Sequence, residues 1–285
     1  MQSLSTDIIR QQVAATLRED IGAGDVTTLA TIPESARASA RMVAREELVL
    51  AGLDFAVMAF TLVSSDTVST KEAADGDRIA SGGTVLRVEG PARALLSAER
   101  VALNFVQRLS GIATLSAEYA RAVAGTKARI LDTRKTTPGW RLLEKYAVSC
   151  GGAQNHRSGL YDMILIKDNH LAALRDEWPN PVAAAVLRAR RAYPALKVEV
   201  EADNLEQVGQ AAEAGADIIL LDNMSIPQLT AAVELVGGRA MTEASGGMNL
   251  SNVRKVAETG VDLISVGALT HSARSADLGL DFEGS

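Results

Sequence analysis

Apolar residues recur every three to four positions at the start of the chain and alternate with polar residues in the segments that follow. Between residues 6 and 19 they predict an amphipathic helix, with Ser5 or Thr6 as its cap and Gly22 or Gly24 at its end. Short alternating segments at 36–50 and 68–88, broken at glycines, predict antiparallel strands and hairpins around a helix at 53–63. This pattern predicts a small α+β domain.

The spacing of apolar residues changes after a long predicted helix at 92–124, in which we expect a break at Gly111. Apolar strands then recur, from Val198 onward about once every 20 residues with helices between them, which is typical of a parallel sheet. The predicted strands are Arg129–Leu131, Met163–Ile166, Val198–Val200, Asp217–Leu221, Ala240–Thr242 and Leu263–Val266. The predicted helices are Leu205–Ala214, Pro227–Val236 and Val253–Thr259. We interpret these elements as a (β/α) barrel, with a doubly wound open sheet as the alternative.

Polar and charged residues follow the predicted strands. They occur after four of these strands in specific pairs or runs: Asp132 to Lys135, Lys167 to His170, Asp222-Asn223 and Glu243 to Gly247. Glu201 and Gly267 to His271 follow the two others. In a barrel the carboxyl ends of the strands converge on one face, so the sequence predicts a single shared pocket.

Charge is distributed unevenly along this acidic chain of 285 residues and net charge −6. The stretch from Arg129 to Lys167 holds seven cations against three carboxylates, a balance of +4 that leaves −10 for the rest. The overall balance argues against binding to nucleic acid or to an anionic membrane surface. The local excess predicts a site for a small, highly anionic ligand.

Cysteine usage and hydropathy indicate a cytoplasmic protein. Cys150 is the only cysteine, so no internal disulfide can form, and no evident base lies near it in sequence to activate it as a nucleophile. The amino-terminal residues lack the pattern of a secretory signal, and the longest apolar runs are far shorter than the roughly 18 residues that span a bilayer. We therefore expect neither secretion nor membrane insertion.

Several strand-end residues suggest particular ligands. Ser245-Gly246-Gly247 and Gly267 suit a phosphate cradle, because glycines allow backbone N–H groups to approach an anion. The carboxylates of Glu201 and Asp222 could accept from sugar hydroxyls or hold Mg²⁺ through water. The three histidines do not match a structural zinc site; His156 and His271 are expected to bind anions, and His170 to have a structural role.

These residues carry a resemblance to the quinolinate phosphoribosyltransferases, also called nicotinate-nucleotide pyrophosphorylases (carboxylating). It extends over nearly the whole chain. Its motifs are Glu19 to Thr28, Ala98-Glu99-Arg100 with Asn104, Leu109 to Thr114, Asp132 to Gly139, Asn155-His156-Arg157, Leu165 to His170 and Ser245-Gly246-Gly247. The resemblance implies an irregular, TIM-like α/β barrel at 111–271 and an α+β sandwich at 1–110, joined by the tail 272–285.

The resemblance also implies substrates, products and residue roles. Quinolinate and phosphoribosyl pyrophosphate, with Mg²⁺ as cofactor, would give nicotinate mononucleotide, pyrophosphate and CO2 in NAD biosynthesis. The residues implied to bind the quinolinate carboxylates are Arg134, His156, Arg157 and Lys167, with Thr133 beside them and Arg100 from the neighbouring subunit of a homodimer or larger oligomer. Lys135 would meet the phosphoribosyl donor, Glu201 and Asp222 its ribose and, through water, the metal, and Ser245, Gly246, Gly247, Gly267 and His271 its phosphate. Lys135, Glu201 and Asp222 would then be the catalytic residues.

Two other functions fit the same sequence. One is that of the pyrophosphorylase-like paralogue associated with molybdenum transport, although the run from Leu165 to His170 favours quinolinate. The other is a non-catalytic barrel that binds phosphorylated metabolites. Pyrophosphate release from the two substrates and Mg²⁺ would separate an enzyme from a binding module.

Overall fold

The computed structural model describes residues 4–283, whose contacts form two compact units. The first unit contains residues 4–117, 142–152 and 273–283, and the second contains 118–141 and 153–272. The predicted domain limits at residues 1 and 285 lie outside the described residues. The predicted boundary at residue 110 stays a prediction. The segment 142–152, which is predicted to belong to the barrel domain, lies in the first unit.

The first unit begins with helix α1, Thr6–Ile21, as the apolar spacing predicts. The Ser5 side chain caps it by accepting from the backbone N–H of Ile8 at 3.4 Å. Gly22, at φ 53°, ends it. The face that carries Ile9, Val13 and Leu17 is buried.

An antiparallel sheet forms the other main part of this unit. Its strands, in spatial order, are β12 (Leu278–Glu283), β1 (Arg37–Ala44), β5 (Thr84–Pro91) and β3 (Val68–Lys71). Two short strands, β2 (Leu48–Val49) and β4 (Arg78–Ile79), pair with each other. The end of the chain thus returns to the first unit, because Phe282 on β12 lies opposite Ala40 on β1.

Four helices complete the first unit in whole or in large part: α2 (Val26–Thr31), α3 (Leu53–Val63), α4 (Ala92–Ala122) and α5 (Arg141–Cys150). The rings of Phe55 on α3 and Phe105 on α4 stack with their centroids 4.9 Å apart in the core. The predicted break in α4 at Gly111 is wrong, since the helix continues through it. A Cβ at Gly111 would lie 1.8 Å from the carbonyl oxygen of Arg274, so glycine is needed there for close packing rather than for a turn.

Six parallel strands build the second unit: β6 (Arg129–Leu131), β7 (Ile164–Ile166), β8 (Val198–Ala202), β9 (Ile218–Asp222), β10 (Met241–Ser245) and β11 (Leu263–Ser265). Their spatial order is β6-β11-β10-β9-β8-β7. From β7 to β11 consecutive strands are neighbours, and the first strand, β6, lies beside the last, β11. A doubly wound sheet would instead reverse its order at a switch point, so the strands follow the order of a barrel.

Side chains inside this strand arrangement support the barrel. Leu131, Ile218 and Leu263, from three different strands, form one buried cluster with Met163 and Met241 packed against it. Residues that alternate with these, such as Ile219 and Val200, are completely buried on the other face of the strands. The predicted TIM-like barrel with an amino-terminal antiparallel domain is therefore confirmed.

The barrel is irregular between β6 and β7, which do not pair within the described chain. Gln154 forms an isolated parallel bridge with Leu131, accepting from the Asp132 N–H and donating to the Ile130 carbonyl. The helices after the strands are α6 (Asp168–Ala173), α7 (Pro181–Ala192), α8 (Leu205–Ala214), α9 (Ile226–Val236), α10 (Val253–Glu258) and α11 (Ala268–His271). Among the described residues, none of the helices is both long and apolar enough to cross a bilayer.

Candidate active site

A cavity of about 540 Å³ opens at the carboxyl ends of the barrel strands. The same alternation that places Leu131 and Ile218 in the interior cluster points the next residues of that face into the cavity. It is lined by Thr133, Arg134, Lys135, His156, Arg157, Leu165, Lys167, Glu201, Leu220, Asp222, Asn223, Glu243, Ser245, Gly246, Gly247 and Ser265. Eleven of the fourteen predicted site residues therefore lie around one cavity.

The cations cluster on the side formed by β6, β7 and the segment between them. The Nε atom of Arg134 is buried without a hydrogen-bond partner among the described residues. Arg157 donates from Nη1 to the Met163 carbonyl at 3.3 Å. Burial and the nearby Arg134 lower the pKa of Arg157, although Glu199 and Asp162 oppose this shift. These two guanidinium groups together favour a bound anion.

The loop after β6 that carries these cations is fixed by its own side chains. Arg141 donates to the Thr136 hydroxyl at 3.2 Å and to the Ser158 carbonyl at 3.0 Å. The Thr270 hydroxyl donates to the Lys135 carbonyl at 2.8 Å. The loop is therefore held from both sides, which limits the conformational entropy that ligand binding would cost.

Asp132 is buried at the base of this loop and serves as its anchor. Its Oδ1 accepts from the His156 backbone N–H at 2.8 Å. His156 is itself nearly buried, with 8% of its side chain exposed, and its Nδ1 accepts from the Arg157 backbone N–H at 2.7 Å. The other ring nitrogen, Nε2, lies 3.1 Å from Oε2 of Glu199. Since protein groups engage both ring nitrogens, direct contact between the ring and a bound anion stays a prediction.

Two carboxylates lie across the middle of the cavity, at the ends of β8 and β9. Oε2 of Glu201 pairs with Nζ of Lys167 at 2.5 Å, and Oδ2 of Asp222 accepts from Asn223 at 2.7 Å. No hydrogen bond within the described chain reaches Oε1 of Glu201 or Oδ1 of Asp222. A second cavity, about 500 Å³, adjoins both residues and is also lined by Asp168, Asp203 and Glu206. Oxygen atoms in this arrangement suit Mg²⁺ held partly through water.

A glycine-rich turn after β10 forms the far side of the cavity. Gly246 and Gly247 have φ values of 94° and 62°. A Cβ at Gly246 would lie 2.1 Å from Oδ1 of Asn223, which itself adopts a left-handed conformation with φ 54°. Positive φ and this close approach require glycine, and such turns expose backbone N–H groups to anions.

Gly267 and His271 adjoin the cavity through Lys135. A Cβ at Gly267 would lie 3.1 Å from Nε2 of His271 and 3.2 Å from Cδ of the Lys135 side chain. His271 is exposed, and its Nδ1 lies 2.6 Å from the Ser272 hydroxyl. The three residues are thus grouped as the sequence predicts.

Three other predicted residues lie elsewhere or have structural roles. Arg100 is exposed on α4 in the first unit and does not line the cavity. His170 caps α6, because its Nδ1 accepts from the Lys167 N–H at 2.9 Å. Burial and Asp75 raise the pKa of the Cys150 thiol to about 12, so a nucleophilic thiolate is disfavoured there.

Two residues of the site, Glu199 and Ser265, were not predicted, and neither were the contacts of Glu243 with His156 and of Asn223 with Gly246. Glu199 and Glu243 are completely buried. The signal for both was a carboxylate within an apolar strand, two positions before a predicted site residue on the same face of the strand.

Taken together, these contacts define a class of protein: an α/β-barrel enzyme whose pocket suits an anionic, phosphate-bearing substrate. Cations line one side, carboxylates the centre and a glycine turn the other side. Comparison with known proteins identifies the family. Residues 25–110 match the quinolinate phosphoribosyl transferase N-terminal domain, and residues 112–281 match the C-terminal domain of the same family.

Individual relatives are similar to this chain over nearly its whole length. The nicotinate-nucleotide pyrophosphorylase [carboxylating] of Mycobacterium leprae is 46% identical over 96% of this chain and 97% of its own. The probable enzyme of that name from Bacillus subtilis is 43% identical over 92% of this chain and 89% of its own. The solved nicotinate-nucleotide pyrophosphorylase of Francisella tularensis superposes with a TM-score of 0.93 at 38% identity, covering 99% of this chain and 98% of its own. This chain belongs to the quinolinate phosphoribosyl transferase family.

Proposed function

We propose that this chain is a nicotinate-nucleotide pyrophosphorylase of the carboxylating type. It transfers phosphoribosyl from phosphoribosyl pyrophosphate to quinolinate and releases pyrophosphate and CO2, giving nicotinate mononucleotide for NAD biosynthesis. The main observation in support is that one barrel cavity holds the cations, the carboxylates and the glycine turn that these two substrates need. The relatives that share its family over nearly their full length carry this activity in their names.

The cationic side binds the dicarboxylate. Arg134 and Arg157 present forked guanidinium groups, which match planar carboxylates. Lys167 adds a third positive charge. In this structure its ammonium pairs with Glu201, so substrate binding would redistribute that ion pair.

The opposite side binds the phosphoribosyl donor. Backbone N–H groups of Gly246 and Gly247, with Ser245, Gly267 and His271, hold the 5′-phosphate, and Lys135 faces the diphosphate. Glu201 and Asp222 accept from the ribose hydroxyls and hold Mg²⁺ through water. When bound, this ion neutralises charge that develops on the leaving pyrophosphate.

The chemistry then needs no protein nucleophile. The ring nitrogen of quinolinate attacks the anomeric carbon as the bond to pyrophosphate breaks, through an oxocarbenium-like sugar. The ribosylated nitrogen becomes cationic, so it stabilises the electron pair left on the adjacent ring carbon when the carboxylate departs as CO2. That carbon takes a proton. Lys135 and the arginines act by positioning and by electrostatic stabilisation.

The assembly and the location belong to the same proposal. Arg100, exposed on α4, is supplied to the site of a neighbouring subunit in a homodimer or larger oligomer. A cytoplasmic location is also proposed, on the sequence features given above.

Arg134→Ala tests the assignment. Loss of the guanidinium removes a carboxylate contact and a cation from the site, so we expect turnover to fall at least about a thousandfold with an unchanged circular dichroism spectrum. Release of pyrophosphate and of labelled CO2 measures turnover. Arg191→Ala, at an exposed position on α7, is the matched control and should retain activity. Near-normal turnover by Arg134→Ala would refute the proposed binding mode.

A further inference from the structure

Two completely buried glutamates lie beneath the cavity and have no role in the reaction as described. Glu199 on β8 and Glu243 on β10 are 0% exposed. Their carboxylates face the same ring nitrogen, because Nε2 of His156 lies 3.1 Å from Oε2 of Glu199 and 3.6 Å from Oε2 of Glu243. Burying two carboxylates together is costly, so their placement calls for a compensating contact.

The hydrogen bonds of the His156 ring define its tautomer. The backbone N–H of Arg157 donates to Nδ1 at 2.7 Å, so Nδ1 must carry a lone pair. The ring proton therefore lies on Nε2, the ring nitrogen that lies 3.1 Å from Oε2 of Glu199, although neither carboxylate oxygen of Glu199 has an aligned hydrogen bond among the described residues. The three groups could also be read as a metal site, since their ligand atoms lie within 4.8 Å of one another. The tautomer argues against this, because a proton occupies the position of the Nε2 lone pair.

Burial and the neighbouring Glu199 raise the pKa of Glu243 to about 8, whereas His156 opposes that shift. One carboxylate of the pair is thus mostly protonated at neutral pH. Protonation of Glu243 lowers the negative charge under a pocket that needs its cations.

The His156 ring in turn fixes the backbone segment that carries Arg157. The His156 backbone is held by Asp132 and its ring by the glutamates, while the Arg157 backbone donates to the ring. Among the described residues, the guanidinium itself makes one hydrogen bond, from Nη1 to the Met163 carbonyl at 3.3 Å. Orientation of Arg157 therefore depends on the orientation of the His156 ring.

We propose that Glu199 and Glu243 are positioning residues, which act through the His156 ring to orient Arg157 toward the substrate dicarboxylate. This inference rests on the proposed function, because it assigns the bound dicarboxylate to Arg157. It also changes the role of His156 from direct ligand to the link between the buried pair and the arginine. Glu199, the nearer of the two, accepts the ring proton, and Glu243 packs beside it.

Substitution of Glu199 separates the hydrogen bond from the charge. Glu199→Leu removes the acceptor, and Glu199→Gln removes the charge but keeps an oxygen that can accept from Nε2. We expect Glu199→Leu to raise KM for quinolinate about tenfold, the cost of one buried hydrogen bond, with KM for phosphoribosyl pyrophosphate changed less than about twofold. Glu199→Gln should recover most of this loss. Glu213→Leu, at an exposed position on α8, is the control. Equal effects of the Leu and Gln variants would overturn the proposal.

His156→Asn provides a second, independent variant in case Glu199→Leu does not fold. Asparagine keeps an acceptor near the position of Nδ1 but cannot reach Glu199. We expect a similar rise in KM for quinolinate, and no further rise when Glu199→Leu is added to it. Additive effects, or a normal KM in His156→Asn, would show that the glutamates do not act through the ring.

Nuclear magnetic resonance of ¹⁵N-histidine reports the network without turnover, so it separates failure of this inference from failure of the proposed function. The chain has three histidines, and His156→Asn assigns the relevant signals. The wild type should show one fixed tautomer for His156, with its proton on Nε2, and Glu199→Leu should show a mixture. Addition of Zn²⁺ alone should leave these signals unchanged. A proton on Nδ1, or stoichiometric Zn²⁺ binding that depends on His156, would overturn the inference.

Discussion

At the scale of single residues, Gly246 shows how strictly the cavity determines residue type. Its positive φ alone would strain any other residue, and its Cβ would also collide with Asn223. Gly247 has a positive φ but nothing within 4 Å of a Cβ. Substitution of Gly247 would therefore cause backbone strain alone, whereas substitution of Gly246 would cause both backbone strain and a steric clash.

We expect Gly246→Ala to lower the free energy of unfolding by about 2–3 kcal/mol, and Gly247→Ala by only about 1 kcal/mol. Gly246→Ala should also raise KM for phosphoribosyl pyrophosphate more than KM for quinolinate, because the turn is proposed to bind the phosphate. Urea denaturation and steady-state kinetics measure the two effects. Equal losses in the two variants would contradict the steric argument.

Residue types at strand ends were predictable because polar groups after apolar strands stand out in the sequence. Arg134, Lys167, Glu201 and Asp222 were found this way. Glu199 was not, and neither was the role of Glu243, which belongs to a predicted strand-end run. Both glutamates face His156 from two strands that a third strand separates. Such a contact depends on how strongly the sheet curves, and periodicity does not encode curvature.

At the scale of secondary structure elements, helix propensity and packing conflict in α4. The sequence suggested that Gly111 breaks this helix, yet the helix continues and the glycine instead admits the Arg274 backbone at close range. Gly209, inside α8, has only Leu235 near a Cβ, at 3.9 Å. The same substitution should therefore have opposite effects in the two helices.

We expect Gly209→Ala to stabilise the protein by about 0.5–1 kcal/mol through helix propensity. Gly111→Ala should destabilise it by about 2–4 kcal/mol, because the overlap with a backbone carbonyl outweighs that gain. Thermal and urea unfolding of the two variants provide the comparison. A stabilised Gly111→Ala would mean that the contact with Arg274 is not close.

Aspartates at the starts of strands connect neighbouring elements of the barrel. Oδ2 of Asp262, just before β11, accepts from the Thr242 N–H at 2.8 Å, and its Oδ1 pairs with Lys127 at 2.9 Å. Burial raises the pKa of Asp262, but the bonds from Thr242 and Lys127 outweigh burial and leave the pKa below its ordinary value. Asp217, just before β9, accepts from the Val198 N–H in the same way.

The lowered pKa gives a pH dependence of definite sign. The folded state holds Asp262 ionised more strongly than the unfolded state does, so this stabilisation is complete above about pH 4 and is lost as the pH falls through the folded pKa. Asp262→Asn should therefore reduce the free energy of unfolding by about 1 kcal/mol at pH 7, after allowance for solvent screening, and by progressively less below pH 4. Asp176→Asn, at an exposed position, is the control for urea denaturation at each pH. A pH-independent difference would contradict the argument.

The elements themselves were largely predictable from periodicity. Predicted and observed limits of α8 coincide at Leu205–Ala214, and each predicted barrel strand overlaps an observed one. The order of the strands around the barrel was not predictable, because it depends on which distant strands pair. Nor was the bridge of Gln154 to Leu131, which lies in a segment without apolar alternation.

At the scale of the whole molecule, one prediction is that Arg100 acts in the site of a neighbouring subunit. Arg134 lines the cavity of the second unit, whereas Arg100 lies exposed in the first unit. Burial raises the pKa of the Glu99 carboxyl and the nearby Arg100 opposes that rise, but Arg100 itself is exposed, and this exposure favours the proposed role toward another subunit.

Subunit mixing tests this role. In the proposed homo-oligomer, Arg100→Ala and Arg134→Ala should each abolish activity, because each would remove one cation from every site. If Arg100 acts on the neighbouring site, a mixed dimer of the two variants has one site with both arginines and one with neither. Random pairing makes half the dimers mixed, so co-expression should restore about a quarter of wild-type activity. Differently tagged subunits, purified over both tags, should reach about half. If Arg100 acts within its own subunit, every site in the mixture lacks one arginine, and no activity returns.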